Sequence, residues 1–299
     1  MRILLLGANG QVGTELRRSL LGLGDVVAAT RTGQLPDGGA CEAVDLAQVG
    51  NIAAAVNRIG PDIVVNAAAY TAVDRAESEP ELAYRINAEA PGLLAAACHG
   101  RGIPLVHYST DYVFDGQGSR PYREEDPTDP QNVYGASKLA GEQAIAASGA
   151  DHLILRTAWV YGLHGHNFLR TMLRLGTERD ALDVVDDQRG CPTPSWLIAD
   201  VTAGILKRGT FGSGIMHLVT SGETTWHGFA QAIFDDAVAV GGLDLAPLIR
   251  PVPSSHYPTT VRRPAYSVLD TARLHTHYEL KLPGWREALS TTLGAAQRA

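Results

Sequence analysis

Three glycines near the amino terminus constrain this chain more than any other feature. Gly7-Ala8-Asn9-Gly10-Gln11-Val12-Gly13 follows the apolar run Arg2–Leu6 and leads into the helical period Val12–Leu23. With 32 glycines in 299 residues, chance supplies about 0.36 such triplets, so the spacing alone says little. Its position says more. A glycine turn between a first strand and a first helix lets the backbone turn tightly and approach a pyrophosphate, whose charge then meets the helix amides. An ordinary glycine-rich turn is the competing reading.

The next 140 residues alternate strand-like and helix-like segments. Asp25–Ala29, Cys41–Leu46, Asp62–Ala68 and Leu105–Thr110 read as strands; Val49–Ile59 and Glu81–Gly100 carry a helical period. Ile63-Val64-Val65 is apolar without alternation, as a strand buried on both faces must be. The expectation is an α/β fold with a Rossmann-type doubly wound parallel sheet. Phe114 to Asn132 interrupts the rhythm with prolines, glycines and Glu124-Glu125-Asp126, and reads as a surface excursion. A helix from about Gln131 to Ala147 and a strand His152–Val160 follow. Beyond residue 162 the elements spread out: helices at Asn167–Arg174, Ser195–Lys207, Trp226–Val240 and Trp285–Ala296, strands at Asp183–Asp187 and Ile215–Val219. Residues 1–162 thus read mainly as a dinucleotide-binding domain. Residues 163–299 read mainly as a smaller, mixed α/β substrate-binding lobe, with some segments returning to the first domain.

Composition removes several classes of function. A net charge of −7 argues against a nucleic-acid partner. No apolar run approaches the ~18 residues of a membrane span. Cys41, Cys98 and Cys191 are odd in number and far apart, which fits a reducing cytoplasm better than a disulfide framework. Only three of the 25 basic residues are lysines, so a lysine marks a place where arginine does not serve.

One of those lysines sits in Tyr134-Gly135-Ala136-Ser137-Lys138. Chance supplies about 0.1 such Tyr-x-x-x-Lys pairs here. Spacing of four puts both side chains on one helical face. A phenol with a pKa of roughly 10 becomes a useful acid–base group when a cation favours its anion. Lys138 can supply that charge; a surface tyrosine over a lysine stem is the bland alternative. Strand Leu105–Thr110 ends in Ser109-Thr110-Asp111, at the edge where doubly wound sheets bind ligands. Thr110 there can hold a carbonyl, or merely cap a turn. The second strand ends in Thr30-Arg31-Thr32, with no carboxylate until Asp37. An acid at that point selects NAD, whereas an arginine accommodates the 2′-phosphate of NADP. Arg31, with hydroxyls from Thr30 and Thr32 beside it, therefore favours NADPH, with NADH as the alternative.

Together these segments resemble the extended short-chain dehydrogenases/reductases that act on nucleotide sugars. Longer stretches are similar to the dTDP-4-dehydrorhamnose reductase family: Asn66-Ala67-Ala68-Ala69-Tyr70-Thr71-Ala72-Val73-Asp74, His107-Tyr108-Ser109-Thr110-Asp111-Tyr112-Val113-Phe114, Arg156-Thr157-Ala158-Trp159-Val160-Tyr161, Asp187-Gln188-Arg189-Gly190-Cys191-Pro192-Thr193 and Arg263-Pro264. The resemblance covers essentially the whole chain. It implies NADPH-dependent reduction of the C4 ketone of dTDP-4-dehydro-L-rhamnose. Tyr134 would then donate the proton, Lys138 would tune it and hold the nicotinamide ribose, and Thr110 would bond the carbonyl. Gly7, Gly10, Gln11, Val12 and Gly13 would line the pyrophosphate, Asp45 and Leu46 would flank the adenine, and Ala67, Ala68 and Ala69 would pass under the cofactor. Thr110, Asp111 and Trp159 would touch the sugar.

Weaker candidates have simpler readings. His164/His166 and His275/His277 lack a nearby third ligand, so loop histidines are the better reading. Asp183, Asp186 and Asp187 fit a strand end better than paired acids, and Arg262-Arg263 suits either phosphate binding or a turn. Some relatives form a magnesium-bridged dimer. Glu15 matches one acidic position, but Pro194-Ser195-Trp196 has no acid where another is expected. No metal is expected, and a monomer or weak homodimer is. A 4,6-dehydratase or epimerase is the first rival, but dehydratases place a glutamate where Tyr112 follows Asp111. A non-catalytic regulatory subunit resembling that of methionine adenosyltransferase is the second, and the complete Thr, Tyr and Lys set stands against it.

Overall fold

The computed structural model describes residues 1–209, 214–257, 259 and 261–296. Seven strands form one sheet: β1 (Arg2–Leu6), β2 (Asp25–Thr30), β3 (Glu42–Ala43), β4 (Ile63–Asn66), β5 (Leu105–Thr110), β6 (His152–Thr157) and β7 (Gly214–His217). Their order is β7-β6-β5-β4-β1-β2-β3, and every pairing is parallel. The order reverses between β1 and β4, which opens a crevice at the carboxyl ends of both strands.

The principal helices are α1 (Gln11–Ser19), α2 (Ile52–Ile59), α3 (Ala90–His99), α4 (Val133–Ala147), α5 (Phe168–Glu178), α6 (Ser195–Lys207), α7 (Trp226–Ala239) and α8 (Trp285–Ala296). They cover both faces of the sheet, which is why β1 is apolar at every position after Arg2. Ile3 and Leu5 pack with Leu16, Ile198 and Ile205 on one face. Leu4 and Leu6 pack with Ile52, Val56, Leu94 and Ile145 on the other. Residues beyond 162 therefore supply part of the first core, through α6 and β7. A separate core joins Tyr161, Leu169, Phe229, Ile233, Phe234 and Leu289.

Several boundaries differ from the sequence reading for physical reasons. The helix expected over Glu81–Gly100 is three pieces: Pro80–Tyr84, a π-helical turn Arg85–Glu89, and α3. Pro91 has no N–H to donate back to the Asn87 carbonyl, so the ladder breaks there. The strand expected over Cys41–Leu46 is only the two-residue edge strand β3. The strand expected over His152–Val160 stops at Thr157, because Trp159 takes φ +47° before Val160–Tyr161 pairs with Thr193–Pro194. Strand Ala181–Val185 begins two residues before the expected Asp183 and pairs with Leu248–Val252, which has no clear apolar pattern. Helix Ala272–Tyr278, which the sequence reading does not anticipate, returns Leu274 and Tyr278 to the first core.

Candidate active site

At the switch point the glycine turn fits a cofactor cradle. Gly7 has φ +73°, and a Cβ on it would lie 2.6 Å from the Ala68 nitrogen, so two backbones cross where no side chain fits. Gly10 is the N-cap of α1, and its N–H bonds the Gly7 carbonyl at 2.9 Å. A Cβ on Gly13 would overlap that same carbonyl. The turn is thus closed by its own backbone at the start of α1, where helix N–H groups suit an anion. Gln11 accepts a hydrogen bond from Asn167 at 2.8 Å, and Val12 packs on the core.

Other cofactor-side candidates fall around this turn with mixed roles. Arg31 is exposed at the end of β2 and has no acidic partner among the described residues. Asp37, the first carboxylate after it, is paired with Arg17, which holds its pKa down. Thr30 departs from expectation: its buried hydroxyl bonds the Gln34 backbone at 3.1 Å, both as donor and as acceptor, and so serves the turn. Asp45 accepts from the Ala47 N–H at 2.9 Å, and Leu46 is buried. Ala67 and Ala68 abut Gly7, while Asn87 clamps the following Tyr70 backbone through its N–H (2.8 Å) and carbonyl (3.0 Å).

Helix α4 carries Tyr134 and Lys138 against the end of β5. Asn132 caps it by accepting from the Gly135 N–H at 2.8 Å. Close packing sets its position: a Cβ on Gly135 would overlap the Tyr112 carbonyl oxygen, and one on Gly141 the Asn87 carbonyl oxygen. Asn87 also bonds the Ser137 hydroxyl at 3.0 Å, so the π-helical turn steers both the Tyr70 loop and α4. Burial pushes the Tyr134 phenol up to about 12, while a hydrogen bond with Thr110 pulls the other way. Its ring meets Tyr112 edge-on at 5.6 Å. Burial pulls Lys138 down to about 8; its Nζ donates to the Tyr108 carbonyl at 2.6 Å. Thr110 Oγ1 donates to Asp111 at 3.0 Å, and both residues are buried. The three proposed catalytic side chains therefore converge at one strand end.

The sugar-side candidate Trp159 holds a backbone conformation costly for a bulky residue. Its ring stacks on Trp226 at 3.5 Å and 3°, and only a glycine at 190 leaves it room. Trp226 lines a cavity of about 1120 Å³ with Asn167, Phe168, Arg250, Arg262 and Arg263. Arg263 also pairs with Asp74 at 3.0 Å, so this arginine serves both the cavity and the turn. Asn167, Trp226 and Arg250 were missed in the sequence because no spacing links them to the motifs. Asp186 accepts from Thr225 and Asp187 from Ser254, so these carboxylates hold loops together. Glu15 faces Arg18 at 3.4 Å and His164 at 3.8 Å. Among the described residues no cluster of three or more His, Cys, Asp or Glu is arranged to hold a metal.

A glycine turn at the first strand of a doubly wound sheet, with a Tyr-x-x-x-Lys helix closing on the fifth, defines a short-chain dehydrogenase/reductase. The family described as RmlD substrate binding domain matches residues 1–298. A dTDP-4-dehydrorhamnose reductase of Burkholderia thailandensis is 50% identical, over 97% of this chain and 97% of its own. The crystal structure of a dTDP-4-dehydrorhamnose reductase from Clostridium acetobutylicum superposes with a TM-score of 0.90 at 36% identity, covering 99% of this chain and 100% of that one. One from Bacillus anthracis, solved in complex with NADP, gives 0.88 at 34%, covering 98% and 99%. The chain belongs to the dTDP-4-dehydrorhamnose reductase family.

Proposed function

We infer that this chain reduces the C4 ketone of dTDP-4-dehydro-L-rhamnose to the alcohol with NADPH. The observation that carries the reading is the convergence of Thr110, Tyr134 and Lys138 beside a glycine cradle, in a chain 50% identical to a reductase of that name. Gly7, Gly10, Gln11, Val12 and Gly13 would hold the pyrophosphate, Asp45 and Leu46 the adenine, Arg31 the 2′-phosphate, and Ala67 to Ala69 the underside of the cofactor. When bound, the nicotinamide supplies the hydride to C4. Tyr134 gives the new alkoxide its proton, which completes the two hydrogens of the alcohol. Its phenol is protonated throughout the neutral range, as a donor must be. Thr110 bonds the same oxygen, and its contribution grows as charge develops there. Lys138 holds the nicotinamide ribose.

Asp111 and Trp159 would meet the sugar, and the cavity beyond Trp226 would take the nucleotide diphosphate, with Arg250, Arg262 and Arg263 facing its charge. Residues 1–162 act mainly as the cofactor half and 163–299 mainly as the substrate lobe, with α6 and β7 packed back on the first. No helix among the described residues is long and apolar enough to cross a membrane. All three cysteines are free, which fits work in a reducing cytoplasm. The test is loss of NADPH absorbance when dTDP-4-dehydro-L-rhamnose is added. No oxidation with fresh ketone overturns the reading.

A further inference from the structure

Trp159 stands at φ +47°, between β6 and the short pairing of Val160–Tyr161 with Thr193–Pro194. A left-handed backbone at a bulky side chain persists only where its surroundings over-determine it. Here the backbone and the ring are fixed separately. The Trp159 carbonyl accepts from the Thr193 N–H at 3.3 Å, which closes the turn. The ring lies face to face on Trp226, with centroids 3.5 Å apart and planes within 3°, so no ligand fits between the two. Trp226 is itself anchored. It opens α7, its Nε1–H donates to Gln188 at 3.2 Å, and the Phe168 ring leans on it at 4.7 Å. Both walls around Trp159 come from one ladder. Arg189–Gly190 pairs antiparallel with Thr224–Thr225, the residues just before Trp226, and a Cβ on Gly190 would overlap Trp159 Cε2.

We propose that Trp226 is a positioning residue: stacked on Trp159, it fixes the ring against which the keto sugar is held for reduction. The proposal deepens the ketone reduction inferred above and rests on it, since Trp159 is the side chain given to the sugar there. Val113 and Phe114, just after Asp111, belong to the apolar cluster on which Trp159 packs. The indole is thus tied both to the strand end that carries Thr110 and to the lobe that carries Trp226. A hexose has little apolar surface, mainly ring C–H groups and, in a 6-deoxy sugar, a methyl. A flat aromatic face meets those groups without competing for the hydroxyls. Where that face stands decides where C4 stands, and a misplacement of about 1 Å costs roughly a hundredfold in rate. Trp226 acts on the rate through Trp159, not through contact with the reacting atoms.

With four tryptophans in the chain, ¹⁵N-tryptophan labelling of the NADP-bound enzyme gives four indole N–H signals. Trp196, bonded to Thr292 at 2.9 Å, is the internal reference for folding. In Trp226→Leu the Trp159 signal should move and broaden, and kcat for the ketone should fall by about tenfold or more. Affinity for dTDP, measured by calorimetry, should fall much less. Trp226→Phe keeps a ring to stack on and should restore most of the rate. Gly190→Ala crowds Trp159 from the other wall, and Gly190 does not line the cavity. This variant should likewise lower kcat and leave dTDP binding unchanged. An undisturbed Trp159 signal in Trp226→Leu overturns the proposal, and so does a displaced signal with a wild-type rate. Loss of dTDP affinity in proportion to the rate also overturns it, because Trp226 would then be a nucleotide contact. If Trp226→Leu does not fold, as a lost Trp196 signal shows, Gly190→Ala decides by the same readings. Absence of turnover in wild type strikes the ketone reduction itself, which tells the two failures apart.

Discussion

Burial pushes the Asp111 carboxyl up to about 6, against the pull of Ser267 and Thr110. Its folded-state pKa thus lies above the unperturbed 3.8, and the folded chain holds that proton more tightly than the unfolded one. Stability contributed at this residue falls as pH rises between those values, and the penalty is complete at neutral pH. Asp111→Asn should therefore stabilise the fold at pH 7, by on the order of 2 kcal/mol, while raising KM for the ketone. Denaturant unfolding and steady-state kinetics measure both; no gain in stability and an unchanged KM would contradict the role given to Asp111. Arg31→Ala should lower kcat/KM with NADPH about tenfold and leave NADH nearly unaffected, since only the 2′-phosphate contact is lost. An unchanged cofactor ratio removes Arg31 from that role. Residues of this kind were legible where chemistry showed in local spacing, as in Tyr134 and Lys138. Asn167, Trp226 and Arg250 were not, because contacts between separate elements leave no trace in sequence distance.

Helix α4 depends on close backbone approaches rather than on side-chain bulk. Gly135→Ala would drive a methyl into the Tyr112 carbonyl oxygen, and backbone cannot rotate away as a side chain can. A loss of about 1–3 kcal/mol is expected, with a fall in kcat as Tyr134 is displaced from Thr110. Gly204, in α6, has open space where a methyl would point, with nothing within 4 Å, so Gly204→Ala should be neutral or stabilising by up to about 1 kcal/mol. Equal effects at the two sites, measured by chemical unfolding, would refute this reading of the packing. The same contrast explains which elements were readable. β5, α6 and α8 follow their sequence boundaries because apolar period and end signals agree. The segment around Asn87 does not, because Pro91 removes a donor from a region whose composition is otherwise helical. β3 keeps only two residues, paired with β2 alone at the sheet edge.

Across the whole molecule, alternation of strands and helices specified the doubly wound sheet, whereas the proposed substrate lobe was legible only as scattered elements. Its core is assembled from α5, α7, α8 and Tyr161, segments more than 100 residues apart at the extremes, and its cavity from loops between them. Glu15 is already engaged by Arg18 and His164 of its own chain, and Ser195 stands in a buried helix start. EDTA should therefore leave the mass in solution unchanged by light scattering; a dimer that separates on chelation would show a bridging metal. Transfer of hydride from NADPH to C4, with Tyr134 supplying the proton, can be followed by supplying C4-deuterated NADPH of the transferring face and locating the label by NMR of the product. Deuterium should appear at C4 of dTDP-L-rhamnose with wild type, and Tyr134→Phe should be slower by orders of magnitude. Label at another carbon, or near wild-type transfer by Tyr134→Phe, would contradict it.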